Sequence, residues 1–310
     1  MRSRLLLVLA VMLMALAVPA AAVAAGAQAK IAFVKTDAGA KYSHLWTIAP
    51  DGTGLKRVTS ASSNDLAPAW SPGRGTIAFI RSKSGRVYDR KAIVWLMRSD
   101  GSNQRQLTYT GPSMTSGSNA LAFSPDGRYL AGGSSLPWHS DYGVLWAVTI
   151  LDLKTKKSRV AVRYYCQNGV QSLSWAPDSK RLVATIEYGG GYGLLRVNVT
   201  DHNRLVKDSG FGNVESASWR ADGKYLLCDF WMSSKPGYPN WTYVLRPDGT
   251  KVKRIGVDQR FPVYSPDGRH YAFLRFDPIS SLTALAVASA DGSGETTLVE
   301  DVDFGVAAWR

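Results

Sequence analysis

Six polar side chains, each a few positions before a recurring aromatic residue, are the residues best placed for chemistry. They are three carboxylates, two amides and one guanidinium. If the fold brings them together in a ring around the mouth of a central channel, the ring could hold a cation, a Lys or Arg side chain, or the end of a peptide. A water-filled channel with satisfied polar walls is the alternative. The ring is predicted to consist of Asp65, Asn119, Gln171, Glu215, Arg260 and Asp303. We expect no cofactor, with a channel cation left open.

A second set combines aromatic side chains with hydrogen-bond donors in the segments between predicted strands. Exposed aromatic rings beside donors suit sugar rings or a peptide. The alternative is that these rings pack onto neighbouring loops. The set, which we call the loop face, comprises Tyr42, His44, Arg86, Tyr88, Trp138, His139, Tyr142, Tyr192, Trp231 and Tyr238. We expect a partner to bind there.

The sequence contains no familiar catalytic motif. It holds only four histidines, and it has no HExxH, no Cys or His pair at metal-ligand spacing and no GxSxG. A hydrolase or lyase that uses scattered carboxylates stays open, because a site can be assembled from distant segments. The predicted role is therefore non-catalytic.

These side chains are positioned by a phrase that recurs along the chain: an aromatic anchor, a Ser-Pro-Asp-Gly turn and a short apolar strand. The turn is favourable because Pro presets φ at its second position and Gly suits its fourth. Successive anchors lie 44 to 53 residues apart, which is about the length of a four-stranded propeller blade. The anchors are Trp70, Phe123, Trp175, Trp219, Tyr264 and Trp309.

A second phrase, consisting of a strand, an Asp-Gly turn and a strand, alternates with the first, as in residues 45–59 and 243–256. Asp-Gly between two alternating segments is a strong hairpin signal. Six inner and six outer hairpins predict an all-β fold. It is a six-bladed β-propeller with four antiparallel strands per blade, in one domain over residues 30–310. The last copy of the first phrase breaks off after its anchor, so we expect residues 30–34 to close the ring by pairing with residues 305–309.

Together, the two phrases resemble the TolB-type, WD-like β-propeller repeat family over essentially all of residues 30–310. The resemblance implies the propeller fold. It implies less about function, because such repeats occur in envelope proteins, in propeller domains attached to peptidases and in secreted proteins. No separate N-terminal domain of the TolB kind is expected, so a role in the Tol–Pal envelope system is not carried over.

Residues 1–29 have the pattern of an export signal. Arg2 and Arg4 precede an apolar core over residues 5–18, and Ala27-Gln28-Ala29 offers a cleavage site. A retained membrane anchor is the alternative. The expected location is periplasmic or secreted, without an integral membrane span after cleavage.

Two cysteines, Cys166 and Cys228, are compatible with one disulfide in an oxidising compartment. Their positions in the repeats argue against a bond, because Cys228 takes a core position and Cys166 ends an outer strand two blades earlier. A buried free thiol is therefore the other expectation.

The chain is basic, with a formal net charge of +13. In an exported protein this charge favours anionic glycans, wall polymers or lipid headgroups over nucleic acid, although it can also serve solubility alone. We predict a monomeric, non-catalytic exported binding module that docks a protein or peptide of the cell envelope on its loop face and channel mouth. Carbohydrate or anionic wall-polymer binding is the alternative, followed by a propeller hydrolase or lyase.

Overall fold

The structure, a computed structural model, describes residues 29–83, 91–115, 120–140, 143–166, 169–188, 191–199, 205–206, 213–231, 239–277, 283–303 and 307–309. Within these ranges every regular element is a β-strand, and the strands form six four-stranded antiparallel sheets. The predicted six-bladed β-propeller is confirmed. No helix in the same ranges has the length and apolar character needed to cross a membrane.

The strands follow one another in a regular order around the ring. They are β1 (Ile31–Lys35), β2 (His44–Ile48), β3 (Lys56–Arg57), β4 (Asn64–Trp70), β5 (Thr76–Ser82), β6 (Ile93–Arg98), β7 (Arg105–Gln106), β8 (Leu121–Phe123), β9 (Tyr129–Ser140), β10 (Gly143–Asp152), β11 (Lys157–Cys166), β12 (Val170–Trp175), β13 (Arg181–Tyr188), β14 (Gly191–Asn198), β15 (Leu205–Val206), β16 (Val214–Trp219), β17 (Leu226–Phe230), β18 (Trp241–Leu245), β19 (Lys251–Val257), β20 (Gln259–Tyr264), β21 (His270–Phe276), β22 (Thr283–Ser289), β23 (Thr296–Val299) and β24 (Ala308–Trp309). From the axis outwards, blade 1 consists of β24, β1, β2 and β3, and blades 2 to 6 each take the next four strands in chain order.

The ring is closed in blade 1, which draws strands from both ends of the propeller. Trp309 pairs with Ile31, and Ala308 pairs with Ala32, in an antiparallel ladder. Residues 305 and 306 of the expected closing segment lie outside the described residues. The predicted closure of the ring is therefore confirmed at Ala308 and Trp309.

The Ser-Pro-Asp-Gly turns are held by their own side chains. Ser124 Oγ donates to Asp126 Oδ1 at 2.5 Å and accepts from the Tyr129 N–H at 2.9 Å. Asp126 Oδ1 also accepts from the Arg128 N–H at 3.0 Å. The turn that begins at Ser265 repeats the same three bonds. Ser and Asp recur in the phrase because each satisfies backbone groups that the turn leaves unpaired.

The inner strands surround an axial cavity of about 260 Å³. Ser174 Oγ accepts from the Trp219 N–H at 2.9 Å, and Ser218 Oγ accepts from the Tyr264 N–H at 3.2 Å. These bonds join the inner strands of adjacent blades. The position before the anchor carries a small side chain in five blades, and all five line the cavity: Ala69, Ala122, Ser174, Ser218 and Ala308.

Bulky side chains fill the space between blades, with Phe79, Tyr271 and Phe273 almost fully buried. Cys228 lies in the same layer, fully buried, as a free thiol. Burial raises the pKa of this thiol, which makes it unreactive. The side chain of Cys166 lies outside the described residues.

The glycines of the Asp-Gly hairpin tips differ in how closely they approach the preceding blade. A Cβ at Gly292 would lie 2.1 Å from the carbonyl oxygen of Ile255, whereas a Cβ at Gly52 would meet only Leu298 Cδ2, at 3.9 Å. Both glycines have positive φ, so Gly52→Ala carries backbone strain alone, about 1–2 kcal/mol. We expect Gly292→Ala to lower the free energy of unfolding, measured in urea titrations, by roughly 1–3 kcal/mol more than Gly52→Ala does, because of the added clash. Equal losses would mean that the tip moves away at little cost.

Candidate functional site

Asp65 lies fully buried in β4, where Arg81 of β5 binds its carboxylate. Arg81 Nε donates to Oδ1 at 2.6 Å and Nη2 donates to Oδ2 at 2.9 Å. The same guanidinium lies 4.5 Å from the centroid of the Trp95 ring. Because one Arg binds both oxygens, this carboxylate has little acceptor capacity left for a ligand.

The other residues of the predicted ring are distributed unequally. Asp303 accepts hydrogen bonds from the Thr36 N–H at 3.1 Å and the Thr36 hydroxyl at 2.8 Å, which ties the last crossing segment to blade 1. Gln171 is half-buried at a β-bulge of β12. Asn119 lies outside the described residues. The structure brings two of the six, Glu215 and Arg260, into contact with each other.

Glu215 and Arg260 stand on β16 and β20, the inner strands of blades 5 and 6. The ladder between β16 and β17 shifts register at Glu215, which makes it the extra residue of a β-bulge. Such a bulge re-aims the side chain of its extra residue. Arg260 Nη1 lies 3.8 Å from Glu215 Oε1. With its amide oriented to accept, Asn240 binds Arg260 Nε at 2.7 Å and Nη2 at 3.3 Å.

Asp229 on β17 is a third charged group of this region, and the sequence analysis did not select it. It is fully buried and accepts from the Ser216 N–H (2.7 Å), the Ser216 hydroxyl (2.5 Å) and the Phe261 N–H (3.2 Å). Since Phe261 belongs to blade 6, this carboxylate joins two blades. The repeats contained a signal for this residue. Asp229 is a carboxylate at a position where the equivalent residues of β5 and β21, Ile80 and Leu274, are apolar.

Burial dominates the electrostatics of the site. It raises the pKa of Glu215 to about 8, with the charge of Asp229 acting in the same direction and that of Arg260 opposing it. Burial also raises the pKa of Asp229 to about 6, against its hydrogen bonds. Tyr192 lies against Glu215, and burial together with the nearby carboxylates raises the pKa of its hydroxyl. We call Tyr192, Glu215, Asp229, Asn240 and Arg260 the Glu215 cluster.

Tyr192 connects the Glu215 cluster to a second aromatic residue of the loop face. Its ring and that of Trp231 pack edge to face, with centroids 5.8 Å apart and planes at 84°. Both side chains are half-buried. Blades 4 and 5 therefore present a packed aromatic pair beside the Glu215–Arg260 contact.

The remaining loop-face residues lie elsewhere or are not described. Tyr42 is half-buried, with Lys41 Nζ 5.3 Å from its ring centroid. His44 is buried at the start of β2, where desolvation and the charge of Arg57 lower its pKa. Of Trp138 and His139, only the backbone position in β9 is described. The residues outside the described ranges are Arg86, Tyr88, Tyr142 and Tyr238.

The carboxylates of this region do not converge as metal ligands do. Among the described residues, no three His, Cys, Asp or Glu side chains are grouped closely enough to hold a metal ion. The channel cation stays a prediction.

Known propellers match both the repeats and the whole fold. The model of the WD domain, G-beta repeat, matches residues 103–136. The crystal structure of TolB from Acinetobacter baumannii superposes with a TM-score of 0.70 at 20% sequence identity, covering 90% of this chain and 66% of that chain. Tol-Pal system protein TolB of Anaeromyxobacter dehalogenans (strain 2CP-C) is 32% identical over 131 residues. The chain is a six-bladed β-propeller that is similar to TolB and to the WD-domain repeat.

The likeness of this propeller to these proteins is partial. The match to the Anaeromyxobacter protein covers 40% of this chain and 28% of the relative. A chain of the nidogen/laminin complex also superposes, with a TM-score of 0.64 at 9% identity, covering 91% of this chain and 98% of that chain. Structural likeness at such low identity carries the fold alone, and function has to be argued from the site.

Proposed function

We propose that this chain is an exported, non-catalytic binding module that docks a protein or peptide of the cell envelope. The docking site is the part of the loop face where blades 4, 5 and 6 meet. The observation that carries the proposal is the packed pair of Tyr192 and Trp231 beside the buried carboxylate of Glu215. Rigid aromatic rings next to a few convergent polar groups are what a peptide-binding hot spot offers.

Similarity supports the compartment and the class of partner. The Anaeromyxobacter relative is named for the Tol-Pal system, and residues 1–29 of this chain have the pattern of an export signal. Both observations favour a periplasmic or secreted propeller that meets envelope proteins. No individual partner is transferred, because the match covers 28% of that relative.

The environments of the two carboxyl groups with raised pKa values, Glu215 and Asp229, favour binding over catalysis. Two carboxyls with separated pKa values can serve as an acid and a base. Asp229, however, is fully buried, and both of its oxygens accept hydrogen bonds from Ser216 and Phe261. It cannot contact a substrate in this arrangement, so it does not serve as the second reacting group beside Glu215.

Trp231→Ala is expected to weaken capture of an envelope partner at least about tenfold, because truncating a central interface Trp typically costs about 2 kcal/mol or more. The matched control is Tyr225→Ala. Tyr225 is also half-buried, with Arg220 Cζ 4.1 Å from its ring centroid, but it lies on the opposite face beside the turn between β16 and β17. The measurement is quantitative affinity capture from native envelope extract, followed by the Kd of the recovered partner for each variant.

Three outcomes would contradict the proposal. If Tyr225→Ala loses the partner and Trp231→Ala keeps it, the site lies on the other face. If the protein binds only anionic glycans on an array, and moderate salt abolishes that binding, the carbohydrate alternative replaces it. Turnover of a glycan or ester substrate that Glu215→Gln abolishes would identify an enzyme.

A further inference from the structure

We propose that the Glu215 carboxylate is a subsite for a protonated primary amine, namely a lysine side chain of the docked partner. The inference rests on the proposed function and names the chemical group of the partner that the loop face binds. Its basis is a buried acceptor that the described residues leave unsatisfied.

The first argument is hydrogen bonding. Glu215 is only 4% exposed, and within the described part of the chain its Oε2 has no hydrogen-bond partner. The other contacts of this carboxylate are the ion pair of Oε1 with Arg260, at 3.8 Å, and a hydrogen bond from the side chain of Tyr192. A buried carboxylate normally accepts several close bonds, and an unmade one is expensive. A donor brought by a ligand would supply the missing bond.

The second argument is the local charge. Three carboxylates act on one another here, since Asp229 and Glu187 both raise the pKa of Glu215, and Arg260 is the cation that opposes them. Asn240 already accepts from two nitrogens of that guanidinium. One further positive charge close to Glu215 would therefore be favoured by its neighbours on blades 4, 5 and 6.

The third argument selects the kind of cation. A metal ion needs several oxygen ligands, but the oxygens of Asp229 are occupied by Ser216 and Phe261. A guanidinium prefers to bind both oxygens of a carboxylate, and here Oε1 already faces Arg260. A compact ammonium requires only one carboxylate oxygen and can turn its other donors elsewhere. Lysine is therefore the side chain that fits Oε2.

The axial cavity approaches Glu215 but does not include it among its lining residues. The axial cavity of about 260 Å³ extends along β16 as far as Ser216, the residue next to Glu215. Its walls on that strand and on β12 are small or apolar, as at Ser172 and Ala217. The stem of a lysine docked from the loop face would lie on the loop-face side of Glu215, with its charged end at the carboxylate.

The test uses the whole propeller and two blocked tripeptides, acetyl-Gly-Lys-Gly-amide and acetyl-Gly-Gln-Gly-amide. Isothermal titration calorimetry and NMR titrations at pH 8 would give their affinities for wild type, Glu215→Gln and the control Glu295→Gln. Glu295 is also paired with an Arg, on the outer part of blade 6. We expect wild type and the control to bind the Lys peptide at least about tenfold more tightly than the Gln peptide. Glu215→Gln should lose that preference.

The pH dependence gives a second readout. The groups that face Glu215 are Asp229, Glu187, Tyr192 and Arg260. Because Glu215 must give up its proton to bind an ammonium, wild-type affinity for the Lys peptide should rise with pH, by about tenfold per unit at most, between pH 6 and 7.5. Glu215→Gln should show no such rise.

Failure of the subsite and failure of the proposed function can be distinguished. No preference for the Lys peptide in wild type, or a preference that Glu215→Gln retains, overturns the amine subsite. A Glu215-dependent titration by calcium chloride alone, with none by the peptide, replaces it with a metal site. Neither result bears on the proposed docking face, which is contradicted instead if capture of an envelope partner does not depend on Trp231.

Discussion

Removing residues 307–310 is expected to lower the unfolding midpoint more than any single substitution considered above. Ala307 and Trp309 are buried, and Trp309 packs in one cluster with Phe33 of blade 1 and Leu285 of blade 6. The loss of a buried Trp alone costs about 3–5 kcal/mol. Without β24, blade 1 also loses its inner strand and β1 presents an unpaired edge, which promotes association.

Urea and thermal unfolding, together with the elution volume in gel filtration, would measure this effect. The matched control is Trp309→Phe, since Phe123 serves as the anchor of blade 3 and an aromatic ring is retained. We expect the control to lose a fraction of the stability and to remain monomeric. If the truncated protein unfolds at the same midpoint as the full chain and elutes as a monomer, β24 is not what holds the ring closed.

The fold could be predicted because its signals are local. Each turn carries its own hydrogen bonds, as between Ser124 and Asp126, so the phrase that forms the turn is visible without knowing the rest of the chain. The spacing of these phrases then sets the strand order of every blade. Closure required one non-local step, the interrupted phrase at Trp309, and the pairing with Ile31 confirmed it.

The site could be predicted only in part, because its side chains depend on cross-strand neighbours. Counting back from the anchors placed Asp65 and Glu215 in the same predicted ring at the channel mouth. Asp65 lies opposite Arg81, which binds it, whereas the position of β17 equivalent to Arg81 holds Phe230. Glu215 also falls at a bulge and has no direct ladder partner. Neither difference is contained in the repeat spacing.

Between pH 5 and pH 8, wild type is expected to lose stability relative to Glu215→Gln. Burial raises the pKa of Glu215 in the folded protein to about 8, above its ordinary value of 4.5. The folded state therefore binds this proton more tightly than the unfolded chain does. The resulting stabilisation is complete below pH 4.5 and is lost as the pH rises through 8. Within that window each pH unit is worth up to about 1.4 kcal/mol, and Gln does not titrate.

Titratable groups that do not interact with Glu215 contribute equally to the two proteins. Asp229 acts with the same sign, between pH 3.8 and about 6, but its charge interacts with that of Glu215, so the separation of the two curves above pH 6 is the part that reports Glu215. Turn carboxylates with lowered pKa, such as Asp178 and Asp267, stabilise the fold when ionised and lose that contribution only at lower pH. His44, whose folded pKa is lowered, loses stability as the pH falls through 6.5, equally in both. Around Glu215 itself the charged and titratable neighbours are Asp229, Glu187, Arg260 and Tyr192.

Thermal midpoints of wild type and Glu215→Gln, measured from pH 5 to pH 9, decide the point. The curves should nearly meet at pH 5 and separate towards pH 8, with the variant higher by roughly 2–4 °C for each kcal/mol. A variant that is less stable than wild type at pH 8 would mean that the contact with Arg260 outweighs the burial of the charge. Glu215 would then be a structural residue. If Glu215→Gln is more stable than wild type and also loses the preference for the Lys peptide, Glu215 is a binding group. A side chain that lowers stability and is needed for binding shows the usual trade-off between stability and function.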